Sequence, residues 1–146
     1  MDSLMSRALD DLCPELAPRI YEVIARLSEL GEPVFIVDVA RTDAEQAVNL
    51  AKGVSATTHS KHIPATNAAC PICHGTKSHA IDMAPYETFQ AHGADKLGWQ
   101  THEKNAQSVD VLRLEWARIG VLGKHLGLRW GGDWAKPFDP GHLEQP

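Results

Sequence analysis

Pro33-Val34-Phe35-Ile36-Val37-Asp38-Val39 is the most β-prone run in the chain: branched and aromatic side chains with no polar residue before Asp38. It reads as the best strand in the chain, and its neighbours frame it. Upstream, Ile20, Ile24, Leu27 and Leu30 recur at helical spacing and Gly31 supplies a stop. Residues 3–30 therefore read as helix in two pieces, interrupted at Pro14 and Pro18. Ser3 is the first cap, with Leu4, Ala8, Leu9 and Leu12 on one face. Downstream, Thr42 with Glu45 three residues on has the form of a capping box, so a short helix to about Lys52 is expected.

Residues 53–79 lack periodicity and carry Gly, Pro, Ser, Thr, Asn and His, which predicts a long loop of the kind that tends to be functional. Ala80 to Pro85 reads as a second strand, and residues 86–105 as irregular. Val109, Leu112, Trp116, Ile119 and Leu122 share a helical face, with Gly127 as its cap. Leu128-Arg129-Trp130 predicts a third strand, Gly131 to Trp134 a turn, and His142-Leu143-Glu144 a short terminal strand. The expected fold class is α+β, a small antiparallel sheet with flanking helices in a single domain over 1–146, with an inserted loop at about 63–79.

Composition narrows the function. A net charge of −5 and a pI near 5.9 argue against coating nucleic acid or an anionic membrane. No apolar run approaches the ~18 residues that a membrane span needs, so no membrane insertion is expected. Met1 to Asp11 has no signal-peptide core, which predicts synthesis in a (host) cytoplasm and release by another protein for any work in the periplasm or wall. Three cysteines in 146 residues make no disulfide scaffold. Eight histidines point instead to a metal or ligand pocket.

A zinc hydrolase needs three protein ligands, an open position for water and a nearby carboxylate to take the proton. Candidates gather at His59 and His62, at His79 and Asp82, and at Asp139 and His142. Each taken alone is unspecific; Asp139-Pro140-Gly141 by itself is a turn signal.

In order along the chain they form a pattern. Ser60-Lys61-His62, Ala80-Ile81-Asp82 and Asp139-Pro140-Gly141-His142-Leu143-Glu144 resemble the zinc peptidases of bacterial cell-wall peptides, the D-Ala-D-Ala carboxypeptidases and L-alanyl-D-glutamate endopeptidases, the latter common as phage endolysins. The family pattern is S-x-H-x-x-G-x-A-x-D, then an acidic residue three positions before a distant His. Arg41-Thr42 with Glu45-Gln46 resembles the family's R-T-x-x-x-Q, and Gly127 to Trp134 resembles the strand and turn before its last ligand.

The resemblance implies one catalytic Zn2+ on His62, Asp82 and His142, with Asp139 as general base and Arg41 contacting substrate and the developing oxyanion. Ser60 and Gln46 would support the site, and Trp130 and Trp134 would wall the substrate groove or pack. It implies a peptidoglycan peptide substrate, no nucleic acid and a monomer acting as a phage endolysin. A carboxypeptidase or dipeptidase, or a non-catalytic zinc module, is the alternative. One departure stands out: 19 residues separate His62 from Asp82 where the family has a short link. His79 is thus a rival first ligand, although three residues from Asp82 it would face the opposite side of a regular strand.

The insertion carries Cys70-Pro71-Ile72-Cys73-His74, a string shared with c-type haem attachment, which a chain without an export signal makes improbable. Cys70, Cys73 and His74 or His79, with Cys13 or His59 as more remote partners, are candidates for a second, structural Zn2+; free thiols or a local disulfide are the alternatives. Trp116 reads as core, and His92, His102 and His125 as surface.

Overall fold

The computed structural model describes residues 6–51, 60–86, 106–134 and 138–146, with 49–50 and 106–113 described by their backbone alone. Ser3, Leu4, His59, His92, Trp99 and His102 lie outside the described residues.

Of the first expected helix, the described residues form a 3-10 turn, Leu9–Asp11. Pairing with the loop accounts for it: Cys13 N–H donates to the Ser78 carbonyl (2.8 Å), and Ser78 N–H to that of Asp11 (2.8 Å). Helix α1 spans Ala17–Glu29 with Pro18 in its first turn. There the missing N–H is no loss, so Pro18 starts this helix rather than interrupting it. α1 buries Ile20, Val23 and Leu27, while Leu30 becomes the exposed C-cap before Gly31 (φ +75°).

Strands β1 (Val34–Asp38), β2 (Ala80–Pro85), β3 (Arg129–Trp130) and β4 (His142–Glu144) form one antiparallel sheet in the order β1-β2-β4-β3. Helix α2 covers Asp43–Ala51, and Thr42 caps it as expected, its hydroxyl accepting from Glu45 N–H at 3.1 Å. Helix α3 runs Ala106–His125 and closes at Gly127 (φ +83°). Among the described residues no helix is long and apolar enough to cross a membrane.

Ile81, Met83 and Leu143 pack into one core with Ile20, Val23 and Leu27 of α1 and Trp116 and Ile119 of α3. Fully burying one such side chain contributes ~1.5–3 kcal/mol. Alternation along the strands turns Asp82, His142 and Glu144 to the other face. A bulge between Ile36 and Asp38 shifts the register so that Asp38 pairs with Asp82, and Asp82 pairs with His142. Three strands thereby deliver three polar side chains in one row.

Candidate active site

His62 joins that row from the loop between α2 and β2. Its own N–H donates to the Ser60 hydroxyl (3.2 Å), and its carbonyl accepts from Arg41 N–H (2.8 Å). The Val39 carbonyl can only accept, so His62 Nδ1, at 2.8 Å, donates to it and Nε2 is left as the acceptor. Nε2 lies 3.2 Å from Asp82 Oδ1 and 3.3 Å from His142 Nδ1. On the other side His142 Nε2 donates to Glu144 Oε1 (2.9 Å), which leaves Nδ1 facing Asp82 Oδ1 at 2.9 Å.

Two imidazole lone pairs and a carboxylate oxygen thus converge in a buried spot. Donors around a tetrahedral zinc, with bonds of ~2.0–2.1 Å, lie ~3.3 Å apart, so the donor set suits that ion. The surroundings favour positive charge. Burial works against the His142 imidazolium, yet its bonds to Asp82 and Glu144 prevail and push its pKa up to about 10. Burial also opposes the Asp82 carboxylate, but His62 and His142 hold its pKa well below the usual range. Glu144 follows the same pattern: burial is outweighed by His142 and Lys61, and its pKa falls to about 2.

Arg41 sits behind this cluster. Nε donates to Asp38 Oδ2 (2.8 Å), Nη1 to Gln46 Oε1 (2.6 Å), and Nη2 to Asp38 Oδ2 and to Asp82 Oδ2 (3.3 Å). With Oδ2 taken by Arg41, Asp82 presents Oδ1 to the two histidines. The guanidinium is thus largely buried within the protein, its side chain 9% exposed.

Asp139 is half-buried, its Oδ2 3.8 Å from His142 Nδ1. Burial and the nearby Asp82 charge raise its pKa to about 6. Gly131 makes this approach feasible: a Cβ there would stand 2.3 Å from the Asp139 carbonyl oxygen and 3.0 Å from His142 Cβ. The two aromatic candidates part company. Trp130 donates Nε1–H to the Pro140 carbonyl (2.7 Å) and lies against Gly120 and Gly132, a packing position. Trp134 stands beside His142, ring centres 5.0 Å apart.

His79, the rival ligand, turns away: its Nε2 is 3.3 Å from Cys73 Sγ. Cys13, Cys70, Cys73 and His79 form a second cluster, and His74, one of the expected ligands, is not in it. A left-handed backbone at His74 (φ +50°) follows Cys73 and carries the chain into a reversal, and the histidine that returns to the thiols is His79. Glu144, Asp38 and the Val39 carbonyl were missed as ring-orienting and arginine-holding groups. The signal for Glu144 was legible, because it lies two residues from His142 and therefore on the same strand face.

Residues 74–145, which carry Asp82, Asp139, His142 and Glu144, match the family described as D-alanyl-D-alanine carboxypeptidase. The matched segment spans just under half of the chain. The solved structure of the Serratia marcescens L-Ala D-Glu endopeptidase ChiX shares the fold, with TM-score 0.54 and 19% identity over 100% of this chain and 89% of that one. Comparison with curated protein sequences gives no match. The peptidase is a hydrolytic enzyme, and its fold brings His62 and Arg41, from outside the matched segment, to the residues inside it.

Proposed function

We propose that this chain is a zinc peptidase that cuts the L-alanyl-D-glutamate bond of peptidoglycan stem peptides, acting as a monomeric phage endolysin in the cell wall after release from the host cytoplasm. The observation that carries the peptidase site is the convergence of His62 Nε2, Asp82 Oδ1 and His142 Nδ1 beside a further carboxylate, Asp139, outside that donor set. That the structural neighbour is an L-Ala D-Glu endopeptidase supports the choice of bond.

One zinc ion held by His62, Asp82 and His142 would lower the pKa of a water molecule toward ~7 and polarise the scissile carbonyl. The protein's own groups do the rest. The Val39 carbonyl and Glu144 fix the two imidazole rings, and Arg41 fixes Asp82. Asp139 accepts the proton of the attacking water on its carboxylate and returns it to the leaving amine. Arg41, itself locked by Asp38 and Gln46, holds Asp82 Oδ2 so that Oδ1 stays turned to the two histidines. Ser60 holds the turn that carries His62, and Trp134 lines the substrate side of His142.

The family description favours a second reading, a D-Ala-D-Ala carboxypeptidase. Mass spectrometry of purified muropeptides after digestion separates the two. New L-Ala carboxyl and D-Glu amino termini support the endopeptidase; released D-Ala supports the carboxypeptidase and overturns our choice of bond.

A further inference from the structure

We propose that Cys13, Cys70, Cys73 and His79 form a second metal centre, a closed Cys3His site for a structural zinc ion. Their donor atoms all lie within 4.8 Å of one another. Cys13 Sγ and Cys70 Sγ are 3.8 Å apart, and Cys73 Sγ and His79 Nε2 3.3 Å. Sulfurs on a tetrahedral zinc, with bonds of ~2.3 Å, lie ~3.8 Å apart, so the thiols already have the spacing of a ligand set. All three are free cysteines, and Cys13 and Cys73 are buried. Thiols and imidazole are soft and borderline donors, the set that selects zinc.

The backbone around the cluster is arranged for this task. Cys70-Pro71-Ile72-Cys73 makes a tight turn in which Ile72 N–H donates to Cys70 Sγ (3.4 Å) and His74 N–H to the Cys70 carbonyl (3.0 Å). An N–H aimed at sulfur favours the thiolate, the form that binds metal. His74 (φ +50°) and Gly75 (φ +79°) then reverse the chain, and at Gly75 a Cβ would also press on Ala68 Cα at 3.1 Å. The reversal brings His79 back to Cys73. His79 itself is pinned just before β2, its N–H on the Lys61 carbonyl and its own carbonyl receiving Gln145 N–H, both at 3.0 Å. Cys13 comes from the N-terminal segment, held by its pairing with Ser78.

Such a centre joins the N-terminal segment, the inserted loop and the start of β2. It supplies a cross-link to a stretch whose regular structure is one 3-10 turn, Pro64–Asn67. All four positions are protein donors, as in structural rather than catalytic zinc sites.

The test is metal content and cobalt spectroscopy on the full chain, purified under reducing conditions. Native protein is expected to hold two zinc ions and to resist thiol reagents until a chelator is added. Its cobalt-substituted form should show sulfur-to-cobalt charge-transfer bands. Cys13→Ser and His79→Ala should lower the count to one and weaken those bands, and His74→Ala should leave both unchanged. His142→Ala should also lower the count to one but keep the thiolate bands, which separates this centre from the peptidase site. Three freely reacting thiols in native protein with its full zinc content, or a cobalt form without charge-transfer bands, overturns the proposal. Both readouts use the unmutated chain, so a variant that fails to fold leaves the test intact.

Discussion

The two donor clusters are built from different chemistry on different supports. His62, Asp82 and His142 are imidazole and carboxylate groups, two of them on adjacent strands in register. Cys13, Cys70, Cys73 and His79 are three thiols and an imidazole on turns and strand approaches, outside every strand. The first set numbers three and has a spare carboxylate, Asp139, beside it; the second numbers four. Three ligands plus a base make a site that can exchange water, whereas four ligands close one. The two proposed sites differ in donor count, and in what the remaining neighbours can do with a proton.

Ligand loss gives the largest contrast. His62→Ala or His142→Ala is expected to abolish peptidase activity and remove one zinc ion, measured by muropeptide assay and metal analysis. If either variant kept full activity, the assignment of that ligand would fail. Asp139→Asn ranks next. It keeps the turn but cannot take a proton, so turnover should fall ~10²–10⁴-fold with zinc content unchanged. Loss of that zinc would make Asp139 a ligand instead. The acid limb of the wild-type pH profile should reflect the same group. Its carboxylate is active only when ionised, so activity rises with pH as the proton leaves. A pKa raised to about 6 sets the upper bound of that limb, since an added cation pulls it lower. The limb should vanish in Asp139→Asn.

Glu144→Gln tests the outer layer of the reactive site. The amide oxygen still accepts from His142 Nε2 but without charge, so zinc affinity or activity should drop ~10–100-fold. Unchanged affinity and rate would reduce Glu144 to its ion pair with Lys61. The smallest effect on chemistry belongs to the other cluster. Cys70→Ser with Cys73→Ser should leave turnover within a few-fold of wild type while lowering thermal stability. A loss of about 3 kcal/mol would move Tm by roughly 10 °C in a chain of this size. A folded double variant devoid of activity would erase the distinction between the two clusters.

Local patterns made much of this legible. The apolar run at Val34–Asp38, the cap at Thr42 and the period-2 strand at Ala80–Pro85 follow from residue types that act over a few positions. His62 was legible through its Ser-x-His context, and His79 could be set aside because an odd separation from Asp82 points it elsewhere. What escaped depends on long-range pairing. The N-terminal helix gives way to a bridge with Ser78, far along the chain. The choice of His79 over His74 rests on a backbone reversal, which the Cys-x-x-Cys-His string does not encode. Asp38 reads as the end of a strand, and its grip on Arg41 appears only when both meet behind Asp82.

The Lys61 carbonyl receives the His79 N–H at 3.0 Å, the Asn67 side-chain amide at 3.1 Å and the Ser78 hydroxyl at 3.4 Å. The chain therefore leaves at residue 61 and comes back to the same point at 79, with Ile72 exposed along the way. An excursion that ends where it began transmits none of its length to the strands beyond it. Doubling it would cost only ~0.6 kcal/mol in chain entropy. His62 stays put because Ser60, Val39 and Arg41 hold it at the root. For a protein engineer the exposed Ala68-Ala69 step, ahead of the Cys70–Cys73 turn, is a splice port, a place to graft a wall-targeting peptide or a reporter with the strand register left untouched.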